Sequence, residues 1–421
     1  MTSHPTLRIP VARLKRMGAA LTVVPLLALS GCGGSSLDDT PNADSTITIG
    51  AIWAQSGNYT PLGTDMANGF NLYLTTHGNK LGGHPVVVKT ADEGDTDDTA
   101  LAAARKLLDS DRVDVLVGTA SAVPTVKIAP KATTLKIPFI GTGGRPSTIK
   151  DVSYIWHTSW LSRETGAAIA PYLAQTVKGP VYAIGPAYTG GYDQMGGFID
   201  AFRKVGGKLA NAEGDNPNPD AAFATTPYPV TPDFKPYLNK IRASGAKAVY
   251  TFYAGGPATK FVHAYRDAGL SDIPLYGAGF LTEGSQLNPD QEGDAATGIQ
   301  TVLNYAATVP GQDNADFVQT FQAKYPTIPN LYNVTAWDAA ALLDQAIAKA
   351  GPHPTGETIN AAIGTITQIN SPRGTWHFNA QHAPEQQYFL REVRKDGRVL
   401  SNVVIRNLTT NIAVSAPPAA K

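Results

Sequence analysis

Eight histidines and a single cysteine, Cys32, limit the nucleophilic and metal chemistry open to this chain of 421 residues. His-Glu-x-x-His and Gly-x-Ser-x-Gly are absent. Only His377 and His382 fall close together, on opposite sides of an expected turn, and both read as structural or solvent-exposed. No Gly-x-x-x-x-Gly-Lys-Ser/Thr segment occurs, and Gly141-Thr142-Gly143-Gly144-Arg145-Pro146 fails the dinucleotide fingerprint because Pro146 takes the third glycine's place. The acidic cluster Asp92, Glu93, Asp95, Asp97 and Asp98 could suggest calcium, but it lacks the sixth-position glycine of an EF-hand loop. Its better reading is a solvated loop that caps the next helix. Lys plus Arg and Asp plus Glu both total 34, so no electrostatic footprint points to nucleic acid or to an acidic membrane surface. No cofactor or metal site is expected, and an enzyme would need paired catalytic groups that the linear sequence does not display.

Cys32 has a context of its own. Arg8, Arg13, Lys15 and Arg16 precede an uncharged, mostly apolar stretch over residues 17–30, which reads as a secretory signal and is too short for a transmembrane helix. It ends Leu29-Ser30-Gly31-Cys32, which resembles a bacterial lipobox, in which the cysteine is acylated and becomes the mature N-terminus. The alternative is an ordinary export signal with a leftover cysteine and a free, soluble product. Residues 1–31 are thus expected to be a signal peptide and residues 32–45 a flexible polar tether, with the folded body beginning at Thr46. The expected location is the periplasm, anchored to a membrane through Cys32. An acylated Cys32 leaves no thiol for redox, nucleophilic or metal chemistry.

The elements that must position any site alternate. Strands are expected at residues 47–52, 85–89, 113–117 and 139–142, with helices at 64–76 and 97–108 between them. After Trp160 the pattern restarts: helices at 164–175, 194–205, 234–244 and 258–268, strands at 181–184, 248–253 and 273–276, and a Pro/Asn-rich loop at 216–232. This is an α/β chain with two doubly wound lobes, each built on a parallel sheet, whose strand ends meet at one crevice. Helices at 315–325, 334–350 and 357–366 have no strands of their own and must pack on an existing lobe. Residues 375–378, 388–394 and 399–405 read as antiparallel strands, with Lys395-Asp396-Gly397-Arg398 as a hairpin turn. Residues 411–421 are expected to be a disordered tail.

Several segments, in order, resemble the periplasmic leucine/isoleucine/valine-type substrate-binding proteins of ABC transporters over about residues 46–407. They are Ile49-Gly50-Ala51 with Gln55-Ser56-Gly57, Asp92 to Asp98 before Ala102-Ala103-Ala104-Arg105-Lys106-Leu107, and Val115-Leu116-Val117-Gly118-Thr119-Ala120-Ser121. Tyr188-Thr189-Gly190-Gly191-Tyr192-Asp193, Tyr253-Ala254-Gly255-Gly256-Pro257 and Trp337-Asp338-Ala339-Ala340 continue the series. The resemblance implies a type I periplasmic-binding-protein fold whose lobes are joined by three crossovers, near residues 158–161, 277–282 and 371–376. Lobe 1 would comprise 46–158 plus 282–370, and lobe 2 would comprise 159–281 plus 371–410. It also implies a monomer that closes on its ligand by hinge motion and presents it to an ABC permease.

By the same resemblance, the ligand carboxylate would be held by Ala120-Ser121-Ala122 and Gly143-Gly144-Arg145. Ser121 could give a hydroxyl or serve as a helix N-cap, or both. Arg145 could grip a carboxylate bidentately or point into solvent. In the second crossover, where amino-acid receptors often place a carboxylate against the ligand's ammonium, Gly279 and Phe280 stand here, which disfavours a zwitterion. Tyr59, Trp160, Tyr188, Tyr253 and Phe280 gather at the expected cleft, so a small organic carboxylate, preferably aromatic, is the expected ligand. A branched-chain amino acid or amide is the alternative. A ligand-sensing lipoprotein and an exported enzyme are the readings from other classes.

Overall fold

The computed structural model describes residues 46–211, 222–230 and 232–408. The signal segment, Cys32 and the expected tail lie outside the described residues. From the amino end, β1 (Ile47–Trp53), α1 (Thr60–Thr76), β2 (Lys80–Leu81), β3 (His84–Asp92), α2 (Asp97–Arg105), β4 (Val115–Gly118), α3 (Ala122–Thr134) and β5 (Phe139–Gly141) lead to three short strands, β6 (Gly144–Arg145), β7 (Ile155–His157) and β8 (Trp160–Leu161). The second run is α4 (Glu164–Thr176), β9 (Val181–Pro186), α5 (Thr189–Lys204), β10 (Ala224–Thr226), α6 (Lys235–Ala243), β11 (Ala248–Thr251), α7 (Gly256–Asp267), β12 (Leu275–Ala278) and β13 (Gln300–Leu303). It is followed by α8 (Gln312–Lys324), α9 (Leu331–Ala350), α10 (Gly356–Ile363), β14 (His377–Phe378), β15 (Pro384–Glu385), β16 (Phe389–Asp396) and β17 (Val399–Asn407).

Two main sheets result, ordered β2-β3-β1-β4-β5-β7 and β10-β9-β11-β12-β13-β16-β17. Both are mixed, because β2 and the β16–β17 hairpin run antiparallel to their neighbours at the edges of otherwise parallel sheets. Alternation along each central strand shows why helices cover both faces. Ile49, Ala51, Val115 and Val117 pack in one core with α1 and α9, while Ile52 and Leu116 pack in another with α2 and α3. In the second sheet, Val181 and Ala183 share a core with α4 and α5, and Tyr182 and Ile184 share one with α6 and α7.

Several boundaries differ from the sequence expectation for local reasons. Helix α1 starts at Thr60, because Pro61 sits in the first turn, where its missing N–H costs nothing. The expected loop at 216–232 contains β10, an edge strand paired with β9. Residues 375–378 form only the two-residue β14, paired with β15 outside the main sheets. The expected first-lobe segment from residue 282 does not hold for Gln300–Leu303. That strand pairs with Tyr276 to Ala278 and continues the second sheet, so the chain leaves that sheet after Leu303 rather than at 277–282. Four residues were too short a signal to separate from loop. The β16–β17 turn does use Gly397, at φ 64°, in the left-handed region a tight hairpin needs.

Candidate functional site

The carboxyl ends of the central strands feed a narrow slot lined by Tyr59, Leu62, Ala120, Ala122, Gly144, Trp160, Ser162, Tyr188, Gly190, Gln194, Phe252, Ala254, Phe280 and Tyr332. Six of the ten expected ligand-binding residues are here: Tyr59, Ala120, Ala122, Trp160, Tyr188 and Phe280. Their rings form a continuous wall. Trp160 and Phe280 lie 4.7 Å apart between centroids, Phe280 meets Phe252 edge-on at 5.7 Å, and the Tyr59 and Tyr188 hydroxyls approach to 3.3 Å. Behind Tyr188, the ring of Tyr228 stacks at 4.2 Å. The volume of the slot is only about 30 Å³. A flat ring therefore needs the least parting of the walls, and a bulky ligand the most.

No Asp, Glu, Lys or Arg is among the lining residues. Among the slot's polar groups, the indole N–H of Trp160 is buried and has no hydrogen-bond partner. It sits at the floor formed by Gly144: a methyl group on that glycine would lie 3.2 Å from Trp160 Nε1 and 2.9 Å from Ser162 Oγ. A buried donor left unpaired costs free energy, so a ligand acceptor there is favoured. Ala122 and Gly190 bring the starts of α3 and α5 to the slot, where the helix dipole favours negative charge.

The other four expected residues turn away. Ser121 is the N-cap of α3, its Oγ accepting from Val123 N at 3.4 Å. Gly143 is a place of close backbone approach, since any Cβ would overlap the carbonyl oxygens of Thr119 and Ala120. Tyr253 points into the second sheet's core, bonding Thr226 at 3.0 Å and meeting Phe234 edge-on. Phe252, one residue earlier and therefore on the opposite face, supplies the slot's ring instead. Arg145 neither lines the slot nor reaches solvent: it is 2% exposed, donates from Nη2 to the Ile149 carbonyl at 3.3 Å, and leaves Nε unpaired. Burial pulls its guanidinium down to about 10, against the attraction of Asp193 and Glu164. Gly279 also faces elsewhere, its carbonyl accepting from Arg391 Nη2 at 3.1 Å.

The acidic cluster is only partly solvated. Thr96 caps α2, with Asp97 and Asp98 in its first turn, but Asp92 and Asp95 accept N–H groups of Gln55, Ser56 and Asn58 and so hold the β1–α1 loop. Glu93 is buried against the start of α3, accepting N–H groups from Ala120 and Ser121. Those two backbone donors, expected to hold a ligand carboxylate, are thus already occupied. Tyr332 was missed because it comes from a distant segment with no motif around it, Ser162 and Phe252 because they stand two and one residues from the ones singled out, and Glu93 because its acidic cluster reads as a solvated loop. His377 pairs with Glu385 at 3.1 Å on the surface, and His382 stacks on Trp156 at 3.7 Å, far from any shared chemistry.

A wider groove of about 700 Å³ lies between α8, α9 and the β16–β17 hairpin. Its walls include Asp65, Glu283, Arg391, Lys395 and Arg398, and the Glu283–Arg391 pair within it is closed at 2.8 Å. The aromatic wall and the unpaired indole donor single out the slot. Among the described residues no helix is long and apolar enough to cross a membrane.

The sequence profile described as periplasmic binding protein matches residues 46–398. A protein of Brucella abortus (strain 2308) named Leu/Ile/Val-binding protein homolog 6 is 27% identical over 378 residues, spanning 88% of this chain and 93% of that protein. The crystal structure of an ABC-transporter solute-binding protein from R. palustris in complex with benzoate is 28% identical, with a TM-score of 0.79 over 88% of this chain and 99% of that one. A second from R. palustris, in complex with 4-hydroxybenzoate, is 26% identical, with a TM-score of 0.79 over 87% and 98%. With a profile covering most of its length, the chain belongs to the periplasmic binding protein family.

Proposed function

We propose that this protein is an extracytoplasmic receptor that captures a small aromatic monocarboxylate and delivers it to an ABC importer. The observation that carries this reading is the buried, unpartnered indole N–H of Trp160, with Ser162 Oγ on the same floor, in a slot walled in large part by aromatic rings. A carboxylate would accept from that donor under the favourable field of two helix starts, and a ring would stack on Trp160 and Phe280. An α-ammonium would find no carboxylate among the lining residues, and burying it unpaired is costly. The benzoate and 4-hydroxybenzoate held by the two similar structures support the reading. The Leu/Ile/Val name of the curated relatives supports the second reading, a branched-chain amino acid. Two lobes closing about a hinge, and a lipid on Cys32 that keeps the receptor at the membrane, complete the proposal.

Calorimetric titration with benzoate, 4-hydroxybenzoate and leucine tests it. Benzoates are expected to bind and to be recovered unchanged, and Trp160→Phe to weaken them by about tenfold, the effect of one charge-assisted hydrogen bond. Binding of leucine alone would transfer the assignment to amino acids. Altered product would make the protein an enzyme. Uptake of labelled benzoate that persists in cells lacking this chain would argue for a sensor rather than a transport receptor.

A further inference from the structure

Glu93 ends the β3–α2 approach with its side chain turned inward, 1% exposed. Its Oε2 accepts the Ala120 N–H and its Oε1 the Ser121 N–H, each at 2.7 Å. Two successive backbone donors that converge on the two oxygens of one carboxylate form an anion seat, set immediately before α3. Ala120 and Ala122, on either side of Ser121, line the slot, so the seat lies directly behind the slot's wall. Holding a carboxylate there is costly: burial and the neighbouring charges of Asp92 and Asp95 push Glu93 up to about 8. A neutral side chain of similar volume would avoid that cost, but would leave at least one of the two backbone donors unpaired. The chain nevertheless spends a carboxylate on a seat that a ligand's own carboxylate could have used.

We propose that Glu93 is a specificity-determining residue, a built-in occupant of one anion seat that restricts the slot to ligands with a single carboxylate, directed toward Trp160 and Ser162. This rests on the aromatic-acid reading for the ligand class, but the seat itself can be tested without it.

The experiment compares the wild type with Glu93→Ala and Glu93→Gln. Thermal melts are recorded with sodium acetate and with sodium chloride at matched ionic strength, and titrations use benzoate and benzene-1,4-dicarboxylate. Acetate is expected to raise the Tm of Glu93→Ala and to leave that of the wild type unchanged, and to restore folding if the variant alone is unfolded. Affinity for the dicarboxylate relative to benzoate is expected to rise about tenfold in Glu93→Ala. Glu93→Gln, whose amide oxygen still accepts one of the two N–H groups and whose bulk keeps the seat filled, should gain nothing. Equal acetate responses in Glu93→Ala and wild type, an unfolded Glu93→Ala that acetate does not restore, or equal dicarboxylate binding by Glu93→Gln and Glu93→Ala would each overturn the proposal. Benzoate bound by the wild type with no acetate effect on Glu93→Ala removes Glu93 and leaves the function standing. Acetate rescue with no aromatic acid bound by the wild type keeps the seat and removes the aromatic reading.

Discussion

Arg145 is a long cation held inside the protein by one carbonyl, with Nε unpaired and the carboxyls of Asp193 and Glu164 near enough to offset part of the cost. A poorly paired buried charge contributes little to stability and can reduce it. Its replacement by methionine, of similar reach, is accordingly expected to leave Tm unchanged or raised, and to leave benzoate affinity within about twofold, since no hydrogen bond to ligand is lost. Chemical denaturation and titration of Arg145→Met check both. A tenfold loss of affinity would return Arg145 to the ligand. Trp160 presents the opposite case, a neutral side chain whose buried N–H is complete only when something in the slot accepts from it.

At the scale of elements, the slot depends on helix ends and strand ends being held in place from outside it. Helix α9 brings Tyr332 to the slot one residue inside its amino end. Asn330 fixes that end through a capping box: its side chain accepts from Tyr332 and Asn333 N–H, and Asn333 Oδ1 accepts the Asn330 N–H at 2.8 Å. Asn330 also donates to the half-buried Asp65 carboxyl at 2.7 Å, and Glu283 accepts the Leu331 N–H while paired with Arg391. Asn330→Ala is expected to cost about 2 kcal/mol, the upper range for a lost N-cap, and to be visible as a lower midpoint in urea. Midpoints that coincide with the wild type would mean that α9 is seated by packing alone. The strand ends are equally decisive, because the chain leaving β11 sends Phe252 to the slot and Tyr253 to the opposite core.

At the scale of the whole molecule, the slot is bracketed by contacts between loops of the two sheets. Ser147 donates from N and Oγ to Asp193, and Asn58 Nδ2 donates to the Pro229 carbonyl at 3.3 Å. Stability of the whole body is tied to protons taken up on burial. Asp65 and Glu164 are both raised by burial to about 7, from 3.8 and 4.5. The folded chain therefore keeps protons that the unfolded chain has released, and stability falls as pH rises from the unfolded values to the folded ones. His157 works in the other direction: burial, with Arg145 nearby, holds its imidazole well below 6.5, so the unfolded chain gains a proton below that pH and folded stability is lost on acidification. Tm is expected to fall as pH rises toward about 7, most steeply above about pH 6.5 where His157 no longer opposes the trend, and Glu164→Gln should flatten that slope. A Tm that rises over this range would show these carboxyls to be ionised in the folded state.

Legibility followed the range of the interactions involved. The α/β alternation, the β16–β17 hairpin and the aromatic content of the cleft were readable from residues 47 to 407, since periodicity and turn chemistry are local. Strand β13, four residues long, was not, because its pairing with β12 and β16 is what makes it a strand. The same division runs through the site. The sequence by itself determined the lobe-building pattern, the absence of any recognisable catalytic motif, and six of the slot's lining residues. Only the tertiary structure decided that Tyr253 gives way to Phe252, that Arg145 is sealed inside, and that Glu93 sits on the donors of Ala120 and Ser121. A strand's two faces exchange roles with a shift of one residue, and a buried donor's partner can come from any distance along the chain.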